Sequence, residues 1–197
     1  VVFIMSIVLL ISLPILFQYQ RRSERPILDL PLFKITGYGY GLTVLMCHYI
    51  SLGAIMLLAA FFFIDHLGFS ATKAGAFIML YSLMRVFIAP FTGYILRLIS
   101  PWHLSAIGLA LICASLIWFS FLSVSGSETS IFIALLLIGI GSGIYEPPNT
   151  LTIMSSVPPD RYGTASASIA SARQLAFALG VAMCGAINAG RENLYNA

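Results

Sequence analysis

One carboxylate and two guanidinium groups fall inside apolar runs of this 197-residue sequence: Glu146, Arg173 and Arg85. Ionisable groups at membrane depth are costly, so they turn to an interior or to each other and mark ion or proton pathways. Counting from the polar SVPPDRYG turn, Glu146 lies eleven residues before Val157 and Arg173 ten after Gly163, about 16 and 15 Å at 1.5 Å per residue. Both reach mid-membrane, so adjacent antiparallel helices would set them opposite one another. Two roles follow for the pair: a static bridge that fixes the bundle, or a coupling and gating pair in which Glu146 releases and regains a proton. Arg85 is a third midplane charge, with no evident acidic partner in the sequence, and it is assigned to the substrate or proton pathway.

The carboxylate sits in GIGSGIYEPPNT. Gly139, Gly143, Glu146 and Thr150 are spaced four, three and four apart, which stacks them on one helix face. Gly139 and Gly143 form a GxxxG pair that admits a neighbouring backbone, turning Glu146 inward; tight packing, rather than ligand contact, is the simpler role for the glycines. Pro147 and Pro148 lack amide protons, so the carbonyls of Gly143 and Ile144 lose their usual donors. The helix is expected to bend or unwind there, with Gly139, Gly143, Pro147 and Pro148 forming a hinge beside a cavity.

Asn149, Tyr145 and His48 join Arg85 as substrate or pathway candidates; for His48, a satisfied interior histidine competes with a proton relay. Cys47, Cys113 and Cys184 lie in separate spans with no CxxC spacing and read as small packing residues. A metal site needs three or four converging ligands, and none is evident, so no metal or cofactor is assigned. No nucleophile and base share one depth, so no catalytic residue is named and the chain is not read as an enzyme.

These residues need helices to position them. Only 9% of residues are charged and 59% are hydrophobic, far from soluble-domain usage. Six runs of spanning length appear, approximately 1–19, 36–64, 74–98, 102–124, 130–156 and 164–189. Alternating barrel strands are absent, so the fold class is all-α, a polytopic transmembrane bundle. Arg21, Arg22, Arg25, Lys34, Arg97 and Arg161 fall in odd-numbered loops, which makes those loops cytosolic. A net charge of +3, scattered, does not describe a nucleic-acid surface. The lipid bilayer, protons and a small-molecule substrate are the expected partners. Neither end looks native: the sequence opens on Val1 without Met, and the tail follows the last span directly.

The run from Gly139 to Gly185, with its Gly-rich stretch, bend proline, VP turn and Arg-bearing small-residue helix, resembles the major facilitator superfamily, specifically its fourteen-span drug:proton antiporter branch. The matching positions include Gly139, Gly141, Gly143, Pro148, Asn149, Val157, Pro158, Gly163, Arg173 and Gly180. RPILDLPLF, GFSATKAGAF and APFTGYI resemble the linker before the ninth span and the entry and exit of the tenth. Relatives usually place an uncharged residue at Glu146, and their charge-rich loop after the tenth span is represented here by Arg97 and His103 alone.

The resemblance implies a partial major-facilitator fold. Residues 1–35 would end a linker span and its cytosolic linker, 36–190 would supply five spans of the C-terminal six-helix domain, and 191–197 would be a truncated outer-side tail. It also implies a fragment of a proton-coupled secondary transporter, exporting amphipathic molecules or drugs from a bacterial cytoplasmic membrane by alternating access. The missing N-terminal half of the same transporter would be its partner. An organic-anion transporter and a non-transporting membrane sensor stand as alternatives.

Overall fold

The computed structural model describes residues 30–121 and 128–195. The expected first span, most of the arginine-rich linker and most of the loop before Ser130 lie outside these residues. The described chain is helical throughout apart from short turns: a 3-10 turn Leu30–Lys34, then α1 Thr36–Phe61, α2 Ala71–Ile95, α3 Pro101–Phe121, α4 Glu128–Ser155 and α5 Tyr162–Tyr195. Among the described residues there is no strand. Among the described residues five helices are long and apolar enough to cross a membrane, which agrees with the all-α bundle read from the sequence.

Local chemistry sets the boundaries. α1 runs into a π-helical turn, Phe62–His66, and Gly68, at φ +61, makes the reversal. α2 begins at Ala71, a turn earlier than the apolar run suggests, because the Ser70 hydroxyl accepts from the Lys73 amide at 3.3 Å. Pro101 opens α3, where its missing amide proton costs nothing. Between α4 and α5, Pro158 is extended and a 3-10 turn, Pro159–Arg161, leads into the last helix. That helix continues to Tyr195, so the expected tail is helical over most of its length.

Packing departs from chain order. α4 is the most buried span, with 56% of its most apolar stretch inside, against 11% for α2. It therefore sits centrally, against α2 on one side and α3 on another, with α1 also touching it; α5 packs chiefly on α1 and only slightly on α4. The expectation that the short Pro-rich turn makes α4 and α5 close neighbours is thus corrected. Glycine contacts explain why. Gly180 meets the carbonyl of Ile50, and Gly53 meets the carbonyl of Phe177, so the backbones of α1 and α5 interlock at two reciprocal points. The main apolar core joins α1, α4 and α5 through residues such as Leu45, Leu52, Ile153, Ile169 and Ala176.

Candidate functional site

Glu146 is buried, 8% exposed, about two-thirds of the way along α4. Three side chains from three other helices converge on it. Arg85 Nε of α2 lies 2.9 Å from Oε2, Arg173 Nη2 of α5 lies 3.0 Å from Oε1, and the Tyr49 hydroxyl of α1 donates to Oε1 at 2.6 Å. An ionised carboxylate has about four lone-pair sites, and these donors occupy most of them. Arg173 Nη2 also donates to Thr150 Oγ1 at 3.2 Å, and its guanidinium stands 5.7 Å from the Tyr49 ring centre. Depth counting thus brings Glu146 and Arg173 together as expected, but across a gap rather than along a helix seam.

Arg85 corrects the sequence reading. It does have an acidic partner, and that partner is Glu146. A carboxylate presents two oxygens; Arg85 comes from α2, which packs on α4, and Arg173 reaches over from α5, so each guanidinium takes its own oxygen. The glycines make this possible on the α2 side. A Cβ at Gly139 would sit 2.7 Å from the Tyr81 carbonyl, and one at Gly143 would sit 2.8 Å from Ile88 Cβ and 3.1 Å from the Arg85 carbonyl. The GxxxG face therefore acts by close packing, and it brings the Arg85 backbone within reach of Glu146.

The proline pair does not interrupt the helix: α4 is continuous from Glu128 to Ser155, with Pro147 and Pro148 inside it. The expected unwinding is absent for a physical reason. Gly143 O, deprived of a donor by Pro147, receives one from the Thr92 hydroxyl of α2 at 2.9 Å. Thr92 is 1% exposed and also stands 3.1 Å from its own Ile88 carbonyl. A side chain on a neighbouring helix thus replaces the lost backbone bond.

Two cavities flank the charges. One, of about 480 Å³, is bordered by Glu146, Arg85, Arg173, Gly143, Pro147 and Thr150. The second, of about 550 Å³, lies between α1, α2 and α5; Arg85 and Arg173 border it but Glu146 does not. Both fall within the size range of small-molecule sites.

Residues 1–181 match the family model described as Major Facilitator Superfamily. The chain belongs to that superfamily. Three of its curated relatives, all bacterial, mark the range of likeness. An uncharacterised transporter of Escherichia coli is 28% identical over 158 residues, covering 80% of this chain and 35% of its own length. A riboflavin transporter of Clostridioides difficile is 27% identical over 82% of this chain and 35% of its own length. A quinolone resistance protein of Staphylococcus aureus is 27% identical over 95% of this chain and 41% of its own length. The chain thus spans between a third and two fifths of these relatives. Superfamily membership and the relatives' names point to transport rather than catalysis, in a multi-pass membrane protein.

The remaining candidates take lesser places in this superfamily member. Asn149 donates to the Gly41 carbonyl at 3.1 Å, tying α4 to α1. It also borders a third, apolar cavity of about 410 Å³, together with Tyr145, between α1, α3 and α4. His48 is buried, its ring 4.9 Å from that of Tyr145 and 5.3 Å from that of Tyr49; His48 Nε2 and the Tyr145 hydroxyl make no hydrogen bond among the described residues. Sequence reasoning named His48 and passed over its neighbour Tyr49, which touches the carboxylate. The available signal was depth: Tyr49 is thirteen residues into α1, about 20 Å along its axis. Thr92 lies two turns beyond Arg85 on α2, and nothing in its local sequence ties it to Gly143. The three cysteines are free, and no group of three His, Cys, Asp or Glu side chains converges among the described residues.

Proposed function

We propose that this chain forms part of a proton-coupled secondary transporter, of the fourteen-span drug:proton antiporter kind, that exports amphipathic small molecules across a bacterial cytoplasmic membrane by alternating access. The observation that carries the proposal is Glu146 held between arginines of two helices that scarcely meet otherwise, Arg85 of α2 and Arg173 of α5. Protonation of Glu146 removes the charge that both arginines share, so one proton loosens two interhelical links at once. The groups around the carboxylate are Tyr49 and His48 from α1, Arg85 from α2 with Tyr81 beside that arginine, Tyr145 next to it on α4, and Arg173 from α5. Export is suggested by relatives named for drug and quinolone resistance. Gly139, Gly143, Pro147 and Pro148 serve this reading as the closely packed seam along which α2 and α4 move together. The other half of the transporter, expected from the relatives' greater length, closes the site.

The test uses the full-length transporter in proteoliposomes. Glu146→Gln is expected to abolish flux driven by a proton gradient while leaving substrate counterflow at equal pH. Driven flux at the wild-type rate in that variant rules out Glu146 as the proton carrier.

A further inference from the structure

The cluster is not charge-balanced. Arg85 and Arg173 carry two positive charges and Glu146 one negative, and no other Asp, Glu, Lys or Arg is seen in contact with them among the described residues. A half-buried excess cation in low dielectric draws an anion. The 550 Å³ cavity gives that anion a place. It meets both guanidinium groups on a side that Glu146 does not border, with Ser82 and Gln174 as further polar groups. Tyr49 and Tyr81 also line it, and Leu52, Met56, Ile78 and Phe177 supply its apolar wall. Arg173 also keeps one donor, Nε, buried with no acceptor among the described residues, so its fork is only partly used there.

We propose that Arg85 and Arg173 form the seat for the anionic group of an amphipathic organic monoanion, whose apolar body lies along Leu52, Met56, Ile78 and Phe177. Glu146 is then an internal stand-in for the substrate's carboxylate or sulfonate, holding the two guanidinium groups until the ligand competes for them. This deepens the transport reading above and rests on it. Recognition is by charge-assisted hydrogen bonds at one end and apolar burial at the other, the combination that fixes orientation in a mostly apolar site.

The experiment measures equilibrium binding to the full-length transporter in nanodiscs, corrected for empty nanodiscs, with two probes on one ring system: 1-pyrenesulfonate and 1-pyrenemethylammonium. The sulfonate is expected to bind at least about tenfold more tightly than the ammonium, the scale of one charge-assisted hydrogen bond. Glu146→Gln is expected to tighten sulfonate binding by about tenfold again, because the internal competitor is gone; a folding defect cannot produce that gain. Ser82→Asp, at an exposed position on the cavity wall, is expected to weaken the sulfonate by about tenfold and spare the ammonium. Equal or reversed preference in the wild type, or sulfonate binding unchanged or weakened in Glu146→Gln, overturns the anion seat. Because proton-driven flux is read separately, the anion seat can fail while proton coupling survives, and the converse outcome is equally visible.

Discussion

Thr92→Val isolates the one hydrogen bond that replaces the donor Pro147 removes from α4. Valine closely matches threonine in volume, and Thr92 is fully enclosed, so the change removes a hydroxyl and little else. In the wild type that hydroxyl lies 2.9 Å from the Gly143 carbonyl, which Pro147 has left without a backbone donor. Thr92 and Gly143 are both buried, so the position the hydroxyl leaves is closed to water. An acceptor stranded in this way costs about 1–3 kcal/mol. Pro147→Ala restores the amide proton, so in that background Gly143 O keeps a donor and Thr92→Val is expected to cost less than about 0.5 kcal/mol. The coupling between the two changes is therefore expected at about 1 kcal/mol or more, well outside the ~0.3–0.5 kcal/mol scatter of independent sites. Reversible unfolding of the full-length transporter by SDS titration in mixed micelles supplies all four corners of the cycle, with Thr92→Ser as the control that keeps the hydroxyl. Equal losses from Thr92→Val with and without Pro147 refute the replacement of a backbone bond by this side chain.

Two further outcomes follow from the same geometry. Gly143→Ala is expected to destabilise by about 1–3 kcal/mol in the same SDS titration, since its Cβ must displace Ile88 and the Arg85 carbonyl; Gly75→Ala, where no atom stands within 4 Å, is expected to be neutral or slightly stabilising. Among the charges, Glu146→Gln strands two arginines whereas Arg173→Gln leaves Glu146 paired with Arg85, so yield of folded protein should fall further in the first. The double variant lacking both should recover only partly, and adding Arg85→Gln should complete the recovery; full recovery in the double variant contradicts the shared carboxylate.

The outcome at each position shows what one-dimensional reading can reach. Depth along a helix is fixed by a constant rise, so Glu146 and Arg173 could be placed at one level without knowing where either helix stood. Which helices stand side by side is not periodic information. Loop length suggested α4 beside α5, yet the choice was made by Gly53 and Gly180, two isolated glycines whose significance appears only once each lies against the opposite backbone. The same limit hid the partner of Arg85. With one acid and two bases in the spans, pairing by elimination left a base over, whereas three-dimensional packing lets one carboxylate serve both.

Pro147 shows the limit in its sharpest form. The lost donor at Gly143 is a certainty of covalent structure, but whether the helix then opens depends on a hydroxyl fifty-one positions earlier in the chain. A sequence-local defect was repaired non-locally, and the repair joins α4 to the helix that carries Arg85. Thr92 is seven residues, about two turns, beyond Arg85 on α2, so hydroxyl and guanidinium act on α4 from nearly the same face. The packing glycines, the Thr92 bond and the Arg85 bridge thus lie along a single α2–α4 seam, whereas Arg173 reaches Glu146 from a helix with few other contacts to α4. A change in the charge of Glu146 would therefore leave α2 held to α4 by its other contacts and release chiefly α5. The α1–α5 pair, interlocked through Gly53 and Gly180, thus meets the α2–α4 seam through the shared carboxylate, through the Asn149–Gly41 bond and through the core that α1 and α5 share with α4, with the 550 Å³ cavity bordered by α1, α2 and α5 beside the charges.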